Sequence, residues 1–361
     1  MENFKTKIVT IDVVEAGMIA AQDIFTDVGQ MLIAENTELD ERSLRKLRLY
    51  GIHDIPVKEF IENFDMGDVS SNPTKELVKN SKEFKVFESS YSDHTVSLKD
   101  EMLNISDGKN VDVSQLFSVS EELLTTVKYK SNLFGFLSNL EVFDDYTYTH
   151  CLNVSLISHT LGQWLGFTEK QLMHLSVAGL LHDIGKTKID KSILNKPGKL
   201  TEEEFEEMKK HPVYGFQSIE KQDIPYNIKM AVLMHHERYD GSGYPLNAKN
   251  NQINDFAKIV AIADVYDALT SNRPYRNKFD PFHVIRQFEQ EYFRHLDTKL
   301  LMTFLQNIAY CYLDRWCVLS TGEEGKIIFI NKHMPSRPIV QVDGTIIDLS
   351  QEEDIFVGKI I

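Results

Sequence analysis

The chain opens on a strand-like rhythm. "KIVTIDV" alternates β-branched and polar positions, the period-two pattern of a half-buried strand, and "GQMLIAENTEL" and "IHDIPV" offer two more. Between them, Asp40 stands where an N-cap belongs ahead of "ERSLRKLRLY", and Gly51 stands where that helix should stop. These signals predict a small α+β unit over residues 1–60. Residues 61–117 are rich in Ser, Asn, Asp and Lys with little sustained periodicity, which predicts a partly mobile connector with marginal helix. At Ser118 the texture changes: Ser118 and Glu121 fit a capping box, and "LLTTVKYKSNLFGFLSNL" carries apolar residues at helical spacing. Helical patterning runs on to about residue 312, broken by loops around 187–200 and 237–256. Residues 313–361 turn β-like again, with "KIIFINK" as a strand and "IVQVDGTIIDL" as a hairpin around Asp343-Gly344. The fold class expected is therefore mainly α: a central all-α block over 118–312, flanked by the small α+β unit and a small β-rich unit.

Composition narrows this picture in three ways. A hydrophobic share of 42% over 361 residues is enough for a sizeable core. The net charge of -15 argues against a nucleic acid polymer as partner, because such binding needs clustered Lys and Arg. An anionic small molecule would need a local pocket of metal ions or basic side chains. Cys151, Cys311 and Cys317 form no CxxC pair and read as ordinary reduced thiols. "MENFKTKIVT" has no apolar signal region, and no stretch approaches the roughly 18 apolar residues of a membrane span, so the expected location is the cytoplasm.

The candidate chemistry lies in the histidines. Five of the 12 fall in a pattern with two aspartates: His150 in "YTYTHCLNV", His182-Asp183 in "LLHDIGK", His211 in "KKHPVYG", the pair His235-His236, and Asp264 in "AIADVYDAL". Each lies on or beside a segment that reads as core helix. Burying a carboxylate such as Asp183 is costly unless it is paired or meets a metal. Imidazole with carboxylate suits first-row transition metals. On a helix, His182 and Lys186 would share a face with Asp183 angled to one side, and Gly185 would remove a side chain from a close approach. His235 and His236 diverge by about 100°, so both reach one site only where the helix ends, and "ERYDGSGYP" supplies that break. Any one of these residues alone is more simply a hydrogen-bonded core histidine, which is how His159, His174, His283 and His295 are read. Asp267 fits a solvated or capping carboxylate as well as a partner to a ligand. The seven together would need seven separate explanations, and a metal site needs one.

Three ordered stretches resemble the HD-GYP family, a branch of the HD metal-dependent phosphohydrolases: "LLHDIGKTKIDKSILNKPGKLTEEEFEEMKKHPVYG", "HHERYDGSGYP" and "KIVAIADVYDALTSNRPYR". The resemblance covers roughly residues 145–310. It implies hydrolysis of cyclic di-GMP, a bacterial second messenger, to linear pGpG or GMP at a site of two or three metals, commonly iron or manganese. By resemblance, His150, His182, Asp183 and Asp264 hold the first ion, and His211, His235 and His236 hold the second, with Asp183 bridging. Lys186 matches the lysine near the scissile phosphate, and Arg273 and Arg276 match arginines that hold the dinucleotide. The loop Gly243–Pro245, with Tyr244, is implied in substrate binding and in contact with a signalling partner. Relatives with a third metal carry a Glu one turn before the first His. Tyr146 stands there in this chain, with Asp145 rotated off that face, so two metals are expected and a third is not.

Alternatives stay open at this point. A simple HD nucleotidase would need only His150, His182, Asp183 and Asp264. A mixed cyclic GMP-AMP dinucleotide is a second substrate of the same kind. A cyclic di-GMP sensor with little turnover belongs to a different class, and it would be favoured by a missing ligand, which this chain does not show. Apolar faces near 118–140 suggest a homodimer.

Overall fold

The structure is a computed structural model. It describes residues 4–11, 14, 18–25, 31–34, 37, 39–50, 52, 54–60, 75–127, 130–140, 146–271 and 278–361. The chain divides into two compact units, Met1–Ser71 and Asn72–Ile361.

The first unit contains β1 (Phe4–Thr10), β2 (Ile24–Phe25), β3 (Met31–Ile33), α1 (Glu41–Leu49) and β4 (Asp54–Phe60). β1 pairs antiparallel with β4 from Phe4↔Phe60 to Thr10↔Asp54, and β2 pairs antiparallel with β3. Asp40 caps α1 as expected, accepting from the Ser43 N–H at 2.7 Å. Leu44 and Leu47 of α1 join Leu32, Ile55 and Val57 in a small core. Gly51, expected to end α1, lies outside the described residues, and the helix closes on Tyr50.

The second unit is helical and then β. Its helices are α2 (Lys75–Asn80), α3 (Lys82–Ser106), α4 (Val113–Thr126), α5 (Lys130–Asn139), α6 (Tyr146–Trp164), α7 (Glu169–Leu181), α8 (Lys191–Leu194), α9 (Glu202–Met208), α10 (His211–Ile219), α11 (Tyr226–Met234), α12 (Asp255–Thr270), α13 (Pro281–Gln287) and α14 (Thr298–Tyr310). Every residue of α6 from Thr149 to Gly162 is buried, and α7 and α12 are buried nearly as fully. Helices buried on all sides belong at the centre of a bundle, and these three form it. Strands β5 (Trp316–Leu319), β6 (Glu324–Phe329), β7 (Ile339–Val342), β8 (Thr345–Asp348) and β9 (Val357–Ile360) make an antiparallel sheet in the order β8-β7-β6-β5-β9. The expected hairpin is present, with Asp343 and Gly344 at φ of 46° and 82°. The chain is thus mainly α, as its patterning indicates. Among the described residues, no helix is long and apolar enough to cross a membrane.

Two expectations are corrected. Most of 61–117 is not connector, because α3 and the start of α4 occupy residues 82–106 and 113–117. Phe84, Phe87, Tyr91, Thr95, Leu98, Met102 and Ile105 recur every three or four positions along α3 and are buried, all but Thr95 within the main core. Ser118 does not open a helix. Asp112 does, accepting from the Ser114 and Gln115 N–H groups, and Ser118 sits inside α4 with its hydroxyl on the Gln115 carbonyl.

Candidate metal centre

Five helices and one short turn bring the seven residues together. His150 comes from the first turns of α6, while His182 and Asp183 follow the last residue of α7. His211 opens α10, His235 and His236 follow the end of α11, and Asp264 lies on α12. Residues Ile184–Lys188 form a 3₁₀ turn rather than a continuation of α7. Three residues per turn place Lys186 over Asp183, not over His182 as an α-helix would, and Lys186 Nζ lies 2.5 Å from Asp183 Oδ2. Gly185 is required here for a backbone reason. A Cβ on it would lie 1.9 Å from the His211 carbonyl oxygen and 2.5 Å from the Gly215 nitrogen. The turn carrying Asp183 meets α10 backbone to backbone, and that contact sets His211 beside Asp183.

Asp183 is the hub. Its Oδ1 lies 3.1 Å from His211 Nε2 and 3.8 Å from His235 Nε2. Its Oδ2 lies 3.3 Å from His182 Nε2 and 3.8 Å from His150 Nε2. One oxygen therefore faces each half of the cluster. On the far side, Asp264 Oδ1 is 3.1 Å from His150 Nε2, and its Oδ2 is 3.7 Å from His236 Nδ1. Two donor groups result, His150 with His182 and Asp264, and Asp183 with His211, His235 and His236.

The ring tautomers show what the cluster is built to hold. His182 Nδ1 donates to the Gly179 carbonyl at 2.7 Å, His211 Nδ1 to Met208 at 2.8 Å, and His235 Nδ1 to Val232 at 2.9 Å. Each of these bonds fixes the proton on Nδ1 and leaves a lone pair on Nε2. Those lone pairs point at one another and at the carboxylates. His211 Nε2 and His235 Nε2 lie 3.2 Å apart, and His182 Nε2 and Asp183 Oδ1 are buried with no hydrogen-bond partner. Converging lone pairs in a dry interior repel unless a cation lies between them. The donor set of imidazole and carboxylate fits a divalent transition metal.

Charge in the centre is divided sharply. Burial alone would push the Asp183 carboxyl up, but Lys186 and His182 beside it hold it well below the usual carboxylate range. Burial acts on Asp264 in the same sense, and its bonds to His150 outweigh it, again lowering the carboxyl. His235 and His236 are pushed well below the ordinary histidine value, His235 by burial and then by His182 and His211, His236 by burial and then by His235. They are neutral at pH 7, as ligands must be. Burial pushes His150 down too, but its bonds to Asp264 and Asp267 prevail and raise it to about 9.

The loop after the paired histidines is held from inside by Glu237, a residue whose role no motif in the sequence marks. Glu237 is buried and accepts from the Leu246 N–H at 2.6 Å and the Ala248 N–H at 2.9 Å. Gly243 allows the fold-back, since a Cβ there would lie 2.3 Å from the Arg238 nitrogen. Tyr244 then sits with its ring 4.8 Å from that of His236 and its phenol pushed upward by burial and by Asp264, so it stays protonated. Asp267, left ambiguous by sequence, is buried with Oδ2 2.7 Å from His150 Nδ1. Cys151, read as an ordinary thiol, is buried within reach of His182 and Asp183 as a third potential donor group. Tyr146 stacks on His150 with ring centroids 5.7 Å apart. Arg273, Arg276 and Asp145 lie outside the described residues.

Residues 126–300 match the model of the HD domain, a family that implies divalent metal binding. A cyclic di-GMP phosphodiesterase of Pseudomonas aeruginosa is 32% identical over 222 residues, covering 61% of this chain and 53% of that protein. An HD domain by similarity thus spans residues 126–300, just under half of the chain. A 3'3'-cGAMP-specific phosphodiesterase of Vibrio cholerae is 32% identical to it over 180 residues, covering 49% of this chain and 34% of that protein. The chain spans about half or less of the length of these curated relatives. Among solved structures, an HDG"Y"P protein of Bdellovibrio bacteriovorus matches its fold with a TM-score of 0.51 and 14% identity, covering 83% of this chain and 98% of that one. The HD domain holds all seven of the clustered residues between His150 and Asp264.

Proposed function

We propose that this chain is a phosphodiesterase that uses two divalent ions, iron or manganese, to hydrolyse cyclic di-GMP to linear pGpG or GMP. The observation that carries this reading is the set of converging Nε2 lone pairs around the two oxygens of Asp183. His150, His182 and Asp264 would hold one ion, His211, His235 and His236 the other, and Asp183 would serve both. When bound, two such ions acidify a water and neutralise phosphate oxygens, which are the two obstacles to attack on an anionic diester.

The chain's own groups do the rest. Burial works against the charge of Lys186, but Asp183 raises its pKa above the usual lysine value, so it stays an ammonium. It donates hydrogen bonds to the phosphate and offsets charge there as the bond to the leaving oxygen breaks. Arg273 and Arg276 offer planar forks for the second phosphate or a guanine edge. Tyr244 walls the cleft beside His236 and gives a base a flat surface to lie against. Leu246, more than half exposed at the tip of the same loop, is where a signalling protein would make contact. The cGAMP-specific relative supports a second reading, in which the substrate is the mixed guanine-adenine dinucleotide.

The test is to incubate the metal-loaded chain with cyclic di-GMP, 3'3'-cGAMP and cyclic di-AMP, following each by chromatography. Conversion of a guanine-containing ring to linear product is expected, and the faster substrate identifies the preferred one. Tight binding without product by a fully metallated chain would replace the enzyme reading with a sensor.

A further inference from the structure

His150 is held from behind by a chain of hydrogen bonds that leaves the centre and ends on α3. Its Nδ1 lies 2.7 Å from Asp267 Oδ2. The other oxygen of that carboxylate accepts from Asn153 Nδ2 at 2.7 Å and from the Ser271 hydroxyl at 2.8 Å. Asn153 Oδ1 accepts in turn from the Tyr91 hydroxyl at 2.6 Å. Tyr91 is 1% exposed, Asp267 2% and Asn153 7%, so water has little room to replace a lost partner.

We propose that Tyr91 is a positioning residue for the metal ligand His150, acting through Asn153 and Asp267. The proposal rests on the reading of His150 as a ligand. An amide side chain has a donor end and an acceptor end, and each must be matched when it is buried. Asp267 takes the donor end of Asn153, and Tyr91, whose hydroxyl also lies 3.0 Å from the Thr149 carbonyl oxygen, supplies the proton for the acceptor end at the shorter distance of 2.6 Å. Without the Tyr91 hydroxyl, Asn153 Oδ1 becomes a buried acceptor facing an apolar ring, and the amide relieves this by rotating away from Asp267. Asp267 then loses one of the two donors on its Oδ1. The His150 ring, whose Nε2 must stay aimed between Asp264 and Asp183, loses its fixed orientation. The same helix also braces the turn that carries Asp183 and Lys186, since Ser106 Oγ lies 2.7 Å from Thr187 Oγ1. The stretch whose composition suggests a connector thus supports both halves of the site from the rear.

The experiment titrates Mn²⁺ into metal-stripped full-length chain by calorimetry, alongside thermal unfolding of the same metal-free samples. His150→Ala identifies the binding event that depends on His150. Tyr91→Phe is expected to weaken that event roughly fivefold, the equivalent of one ordinary hydrogen bond, and to leave the other unchanged. Asn153→Ala should weaken the same event, and the double variant should lose little more than Asn153→Ala alone. Met102→Ala removes packing from the same face of α3 without touching the relay. It should lower the unfolding temperature and leave both Mn²⁺ affinities intact. Wild-type affinity for both ions in Tyr91→Phe, or an equal weakening in Met102→Ala, would overturn the positioning role. A wild-type chain that takes up no Mn²⁺ would overturn the ligand reading itself, before any variant is compared.

Discussion

Replacing Gly185 by Ala adds a single methyl group, and it should dismantle the centre. The new Cβ would stand 1.9 Å from the His211 carbonyl oxygen and 2.5 Å from the Gly215 nitrogen, both backbone atoms that no rotamer change can move aside. Restoring ordinary contact at about 3.4 Å requires the 3₁₀ turn and α10 to separate by about 1.5 Å. That separation acts directly on the Asp183 to His211 distance, now 3.1 Å. Overpacking of this kind costs about 1–3 kcal/mol, which a unit of this size survives. A misplacement of about 1 Å in a catalytic constellation costs roughly 100-fold in rate, and metal ligation is no more forgiving. Gly185→Ala should therefore fold, with a lowered unfolding temperature, and hold fewer than two ions per chain, with hydrolysis reduced at least about 100-fold. Circular dichroism, elemental analysis and chromatography of the product check the three parts. A folded Gly185→Ala chain with wild-type metal content and rate would refute the claim that this backbone contact sets the site.

Other perturbations separate the roles of single groups. The folded pKa of His150 is raised to about 9 from 6.5, so in the metal-free chain it adds stability that is complete below pH 6.5 and is lost as pH rises through 9. A metal must displace that proton, so affinity at the His150 half should rise roughly tenfold per pH unit between about pH 7 and 9. The half containing His235 and His236, already neutral, should change far less. Mn²⁺ calorimetry across that range reads both, and parallel slopes would contradict the assignment. Lys186→Ala should keep both ions while kcat falls about 100-fold, the usual effect of removing one donor to a developing charge; elemental analysis beside steady-state kinetics decides it. Glu237→Gln leaves one of the two loop N–H groups facing an NH2 group with no acceptor, and the other on a neutral carbonyl. It should raise KM for the dinucleotide severalfold at unchanged metal content.

Much of the site is legible in the sequence because metal ligation imposes residue types that a core otherwise avoids. His182-Asp183, His211, His235-His236 and Asp264 stand out against apolar helix, and the structure brings them within one cluster. The turn geometry at Lys186 was less legible, since "HDIGK" reads equally as α-helix or 3₁₀ until the contact at Gly185 decides it. α3 is hard to read because Val86, Val96 and Leu103 are exposed among its outward Ser, Lys and Asp, and because Tyr91 and Thr95 interrupt its buried stripe with polar atoms. The signal in the sequence is Phe84, Phe87, Tyr91, Leu98, Met102 and Ile105 at helical spacing, with Thr95 filling the one gap and no Gly or Pro from Lys82 to Asp107. Glu237 is hidden, and Asp267 stays ambiguous, for a different reason. A carboxylate that serves a loop or a ring nitrogen looks like any other in the sequence, and only the fold shows that it is buried.

The number of ions the site holds tests a two-metal centre most directly. Purified anaerobically and reconstituted with Fe²⁺ or Mn²⁺, the chain should carry two ions per molecule by elemental analysis. One ion or none after reconstitution would contradict a centre in which the two oxygens of Asp183 serve two metals.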